Sequence, residues 1–124
     1  MIIGMGVDIV KLERIESLYE KHGKHFLEKI LSAEEIALLT VKFPVPYIGG
    51  RFAVKEALVK AMGARDFDFN EISVLKKDNG APYISDLTKL EQLLNMPQRS
   101  LLVHISISHE TDYCTANVII EQNQ

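Results

Sequence analysis

Arg51-Phe52-Ala53-Val54-Lys55-Glu56-Ala57-Leu58-Val59-Lys60-Ala61-Met62-Gly63 is the stretch on which the reading of this chain turns. It predicts a helix that stops at Gly63. A spacing of four puts Glu56 and Lys60 on one face, which therefore offers a carboxylate and an ammonium. By spacing alone the two are either a surface ion pair worth roughly tenths of a kcal/mol or part of a site. Lys55 lies about 100° further around the helix, where a solvated role is expected. Upstream, Pro44 and Pro46 punctuate the chain. The helix is expected to begin at the second of them and run through Arg51 to Met62, with Gly49 and Gly50 weakening its first turns.

Towards the N-terminus, Ile2 to Val10 is apolar and broken only by Gly4 and Gly6, the pattern of a strand that bends or meets another backbone closely. The strand is expected to end at Asp8. That aspartate is either a ligand-facing carboxylate or a cap for the helix starting near Lys11. Leu12, Ile15, Leu18 and Tyr19 recur at helical spacing opposite Glu13, Arg14, Glu16, Glu20 and Lys21, giving an amphipathic helix that ends near Gly23. Phe26, Leu27, Ile30 and Leu31 form a second helical stripe, and Ser32-Ala33-Glu34-Glu35 has capping-box spacing.

Towards the C-terminus, Glu71 to Lys77 alternates as a strand, Asp78-Asn79-Gly80-Ala81-Pro82 is a turn, and Tyr83-Ile84 starts the return. Leu87, Leu90, Leu93 and Leu94 suggest a short helix. Leu101 to Ser108 and Tyr113 to Glu121 read as two strands joined around His109-Glu110-Thr111-Asp112. On the first, His104, Ser106 and Ser108 share one face while Ile105 and Ile107 point into the core. Strands and helices in this arrangement make an α+β layer packing.

Composition bounds the function. With 124 residues, 47% hydrophobic and 25% charged, the chain fits a single globular domain, residues 1–124. The lone Cys114 allows no intrachain disulfide and agrees with a reducing, cytoplasmic setting. The N-terminus lacks signal-peptide character, and no apolar run approaches the roughly 20 residues of a membrane span. A net charge of -3 argues against a general nucleic-acid binder. Yet between Lys42 and Arg65 there are five basic groups, Lys42, Arg51, Lys55, Lys60 and Arg65, against Glu56 alone, which suits an anionic ligand.

Several chemistries are excluded. The Gly4-x-Gly6 pair lacks the third glycine of a dinucleotide fingerprint, the histidines and Cys114 have no zinc spacing, and no Gly-x-Ser-x-Gly elbow accompanies the serines of the late strand. Asp8 and Glu56, completed by water and phosphate oxygens, are an oxygen set that magnesium prefers. His104, alone on its strand, is either structural or functional.

Taken together, Gly4-x-Gly6-x-Asp8-Ile9, Phe26 to Ser32, Gly50-Arg51-Phe52-Ala53-x-Lys55-Glu56-Ala57-x-x-Lys60-Ala61-x-Gly63, Asn79-Gly80-x-Pro82 and His104-x-Ser106-Ile107-Ser108-His109 resemble the holo-acyl-carrier-protein synthases, small 4'-phosphopantetheinyl transferases. The match runs in order from Met1 to about Glu121. The resemblance implies an α+β homotrimer with active sites between subunits, moving phosphopantetheine from coenzyme A to a serine of acyl carrier protein. It implies that Asp8 and Glu56 hold magnesium, that Lys60 stabilises the diphosphate, and that Glu56 or a metal-held water takes the serine proton. Arg51, His104 and Ser106 would lie near the nucleotide phosphates, and Gly80 and Pro82, from a neighbouring subunit, near the adenine. The first helix, with Arg14, Lys21 and Lys24 beside Leu18, would meet the acidic carrier. Two stretches depart from the family: Ala64-Arg65-Asp66 follows Gly63 in place of small residues, and Phe43-Pro44-Val45-Pro46 leaves Lys42 as the basic residue before the helix. The rival readings are a magnesium-dependent phosphohydrolase using the same three residues, which would release 3',5'-ADP without carrier protein, and a nucleotide-binding protein without turnover.

Overall fold

The computed structural model describes residues 1–39 and 42–123. Strand β1 (Ile2–Lys11) leads into helix α1 (Leu12–His22), then α2 (Lys24–Ile30), α3 (Ala33–Ala37) and the long α4 (Pro44–Ala61). A 3-10 turn (Phe69–Glu71) precedes a small hairpin of β2 (Val74–Lys76) and β3 (Pro82–Ile84). Helix α5 (Thr88–Leu93) and the strands β4 (Leu101–His109) and β5 (Tyr113–Gln122) complete the chain. β1, β5 and β4 form an antiparallel sheet in that order, with Asp8 opposite Ala116 and His104 opposite Ile119. The molecule is thus α+β, as expected.

α4 lies across this sheet, and the two glycines of β1 are what allow it to come so close. A Cβ on Gly4 would stand 1.8 Å from the Ala61 carbonyl oxygen, and one on Gly6 2.1 Å from that of Ala57. No larger residue fits at either position without moving helix or strand. Because alternate strand residues share a face, Gly4, Gly6 and Asp8 all point towards α4. Ile48, Ala53, Val54, Ala57 and Leu58 of α4 are fully buried, so the helix is apolar on most sides rather than amphipathic. It is an interior helix that exposes Lys60 only near its end.

Four sequence expectations change. α4 starts at Pro44, two residues before Pro46, and holds both prolines in its first turn, where the amide a proline lacks has no intrahelical use. β1 runs on to Lys11, so Asp8 sits within the strand. It does not cap α1, whose N-cap is the extended Lys11 without a side-chain bond. The strand expected over 71–77 shrinks to Val74–Lys76, since Phe69–Glu71 winds into the 3-10 turn.

The fourth correction concerns Lys55, which is not solvated. It is completely buried and pairs with the equally buried Glu35. Its Nζ donates to the carbonyls of Ile30 at 2.9 Å and Phe69 at 2.8 Å and to Glu35 Oε1, so all three ammonium protons are used. Glu35 Oε1 also accepts the Ser32 N–H at 2.8 Å, closing the expected capping box, while Oε2 accepts the Val74 N–H at 2.9 Å. Such a buried pair persists because all three ammonium protons and both carboxylate oxygens are hydrogen-bonded.

Outside, the sheet is partly bare. Met5, Val7 and Ile9 of β1 are 71%, 56% and 63% exposed, and Leu102 on β4 adds to the same face. His104, Ser106 and Ser108 are exposed there too, and Ile105 and Ile107 turn inward, as the alternation predicts.

Candidate active site

Close approach of α4 to β1 brings Asp8 beside the exposed end of the helix. Lys60 Nζ lies 3.2 Å from Asp8 Oδ1 and donates to the Val7 carbonyl at 2.9 Å. β1 is an edge strand, so a carbonyl on its outer side is free to accept this proton. Lys60 therefore reaches Asp8 rather than forming the helical pair with Glu56. The Lys60 side chain is 54% exposed and that of Asp8 only 16%, so the ammonium stands at a mouth with the carboxylate beneath it.

Glu56 completes the cluster. Asp8, Arg14, Phe52, Glu56 and Tyr113 border a cavity of about 500 Å³, and a second cavity of about 560 Å³ flanks Glu56 on the side of Ile30, Asp66 and Phe69. Partial burial pushes the Glu56 carboxyl above the ordinary carboxylate range; the Asp8 charge adds to this, while Lys60 and Arg14 oppose it. Two carboxylates that repel each other at an open cavity are a site that gains from a divalent cation. Two protein carboxylates, with water and substrate phosphates filling the shell, are also the donor set magnesium takes, so the residues fit that ion.

Arg51 belongs to a different opening. Five residues before Glu56, it points about 140° away around α4. It is 5% exposed, and its Nε has no hydrogen-bond partner. The guanidinium stacks 3.9 Å from the centre of the Tyr47 ring, one helical turn earlier. A cavity of about 680 Å³ is lined by Arg51 together with Tyr47, Gly80, Pro82, Tyr83 and His109. Arg51, Gly80 and Pro82 are thus brought together within one chain, whereas the turn was expected from a neighbour. His104 and Ser106 are not part of this cavity; His104 Nε2 lies 2.9 Å from Glu121 Oε1 on the outer sheet face.

Sequence reasoning missed Tyr47, Phe52, Tyr113 and, as a wall of the Asp8 cavity, Arg14. Tyr47 alone carried a local signal, its i, i+4 spacing to Arg51.

Comparison with known proteins identifies a family. Residues 4–118 match the sequence model of the 4'-phosphopantetheinyl transferase superfamily. The chain is 44% identical to the holo-[acyl-carrier-protein] synthase of Maridesulfovibrio salexigens, covering 98% of this chain and 100% of that protein. Among solved structures, the holo-[acyl-carrier-protein] synthase of Neisseria meningitidis superposes with a TM-score of 0.85 at 34% identity, over 98% of this chain and 100% of the other. That of Bacillus anthracis, solved in complex with CoA (3',5'-ADP), gives 0.78 at 32% identity over 100% and 99%. The motifs, the fold and the paired carboxylates lead to one family: this chain belongs to the holo-[acyl-carrier-protein] synthases of the 4'-phosphopantetheinyl transferase superfamily.

Proposed function

We propose that the chain transfers the 4'-phosphopantetheine group of coenzyme A to a serine of apo acyl carrier protein, releasing 3',5'-ADP, with magnesium held by Asp8 and Glu56. The observation that carries this reading is the convergence of Asp8, Glu56 and Lys60 across the Gly4 and Gly6 contact, beside an open cavity. When bound there, magnesium neutralises the diphosphate and makes its phosphorus a better electrophile.

The remaining work falls to the chain. The serine oxygen bonds to the phosphorus that carries the pantetheine arm, the bond to the adenosine-side phosphate breaks, and its electron pair leaves on 3',5'-ADP. A phosphate leaves readily, so no strong general acid is required. The exposed Lys60 ammonium swings from Asp8 to the diphosphate and stabilises its charge. Glu56, bordering the cavity beside Asp8, takes the serine proton directly or through water. Arg51, with an unsatisfied buried Nε, binds a phosphate of the nucleotide, and Gly80 and Pro82 border its base.

Placement supports assembly into a homotrimer. The Asp8 cavity and the Arg51 cavity share no lining residue, and His104 and Ser106 border neither. A homotrimer with sites between subunits would join them and would cover the apolar row of Met5, Val7 and Ile9. His104 and Ser106 would then reach the nucleotide phosphates from a neighbour. Arg14 at the Asp8 cavity, with Lys21 on α1 and Lys24 at the start of α2, offers cations among Glu13, Glu16 and Glu20 to an acidic carrier helix at the point where its serine must enter. No helix among the described residues is long and apolar enough to cross a membrane. A single catalytic domain working in the cytoplasm fits these features.

Intact-mass analysis of apo carrier protein mixed with this chain, coenzyme A and magnesium tests the reading. The expected result is gain of one phosphopantetheine group and equimolar 3',5'-ADP. Release of 3',5'-ADP without carrier, or no mass gain, overturns it.

A further inference from the structure

Lys55 precedes Glu56 on α4 yet faces away from both cavities that Glu56 borders. What it holds is another part of the same lining. Ile30 and Phe69 line the cavity of about 560 Å³ together with Glu56 and Val59, and the carbonyls of both accept protons from the Lys55 ammonium. Its third proton goes to Glu35, which in turn fixes the Ser32 N–H at the start of α3 and the Val74 N–H of β2. One buried pair therefore ties α2, α3, the 3-10 turn and β2 to α4 at the residue beside Glu56.

Fold stability alone does not call for such a pair. Two well-packed apolar side chains of similar volume often serve a buried position as well or better, because they avoid desolvating two charges. An apolar chain, however, cannot hold three oxygen acceptors in set directions, and an ammonium can. The connection also continues beyond Glu35. Its backbone carbonyl accepts the Tyr47 hydroxyl proton at 2.7 Å, and Tyr47 is the ring on which Arg51 stacks.

We infer that the buried Lys55 and Glu35 pair is a positioning device for phosphoryl transfer, setting the distance between Glu56 and the Ile30 and Phe69 wall so that bound substrate meets Glu56 in reactive alignment. Lys55 touches no substrate; it acts through the backbone it holds. The inference rests on the transfer reaction proposed above, and activity of the unaltered enzyme separates failure of that reading from failure of this one.

The test is the double substitution Lys55→Met with Glu35→Leu, which leaves no unpaired buried charge, compared with Lys55→Arg, which keeps the charge but replaces the ammonium's divergent protons with a planar fork. Ser32→Ala serves as a control that loosens the same region while leaving the pair in place. Each protein is measured for melting temperature, coenzyme A affinity by calorimetry, kcat and KM. The expected result is a kcat lowered about 10- to 100-fold in whichever pair variant folds, with coenzyme A affinity and KM changed less than about threefold. The Ser32→Ala control should lose melting temperature but keep its kcat. A folded pair variant with kcat within about twofold of the unaltered enzyme, or a Ser32→Ala protein whose kcat falls equally, overturns the positioning role.

Discussion

Gly6 lies so near Ala57 that the site depends on the missing side chain: a Cβ there would stand 2.1 Å from the Ala57 carbonyl oxygen, two residues before Asp8 on the strand and one residue after Glu56 on the helix. Gly6→Ala must push α4 away from β1, and the push falls between the two carboxylates. We expect a stability loss of about 1–3 kcal/mol, as for overpacked cores, and a fall in kcat that persists at temperatures where the variant is fully folded. Circular dichroism melts run beside single-turnover transfer check this. A folded variant with normal transfer would show that the approach of helix to strand does not set the site.

Lys60 and Asp8 form an exposed ion pair, and exposed pairs contribute about 0–1 kcal/mol. Lys60→Ala should therefore leave the melting temperature and assembly nearly unchanged while slowing the chemical step by about 10²-fold or more, the usual loss on removing one electrostatic stabiliser. Native mass spectrometry and rapid-quench kinetics separate the two effects. Loss of assembly with intact chemistry would make Lys60 a structural ion-pair partner.

Glu56 titrates above the ordinary carboxylate range because burial and then Asp8 disfavour its charge. With the folded value raised, the associated stability is present below the unfolded carboxylate range and is lost as pH rises through the raised folded value. At neutral pH the metal-free protein thus carries a repulsion that Glu56→Gln removes. That variant should melt at the same temperature or a few degrees higher, about 1–3 °C, while losing transfer. Asp8→Asn should move the Glu56 titration down towards ordinary carboxylates, read by carbon NMR of the side-chain carboxyl. An unmoved Glu56 titration would mean that Asp8 does not act on it.

How far these relations were legible in the sequence depended on how local their causes are. Alternation in β4, the helical stripe of α1 and the Ser32 to Glu35 capping box arise from neighbours within a few residues, and each is found where its pattern put it. Glu56 and Lys60 were placed on one helix face by spacing, but Lys60 turned to Asp8, 52 residues away, which helix periodicity does not encode. Lys55 shows the limit more sharply. Its spacing resembled that of a surface lysine, and its burial comes from Glu35, Ile30 and Phe69, between 14 and 25 residues distant. The start of α4 was misplaced for a simpler reason: two prolines two residues apart both suit a first turn, and local pattern does not choose between them.

The outer face of the sheet offers the last prediction. Met5, Val7 and Ile9 lie in a row on an edge strand with their side chains in solvent, beside Leu102 two strands away. A row of that kind on an isolated chain invites association. If it is the trimer interface, Val7→Glu should give monomers, because a carboxylate would be buried without a partner. The side chain of Val7 points away from α4, opposite to Asp8, so the Asp8, Glu56 and Lys60 cluster should survive within each chain. Transfer should nevertheless fall, since the Arg51 cavity and the Asp8 cavity share no lining residue and the proposed site draws on two chains for one coenzyme A. Analytical ultracentrifugation with a transfer assay on the same samples decides the matter. A monomeric Val7→Glu protein with full activity would place the whole site within one chain, and a trimer that tolerates the glutamate would move the interface to another face.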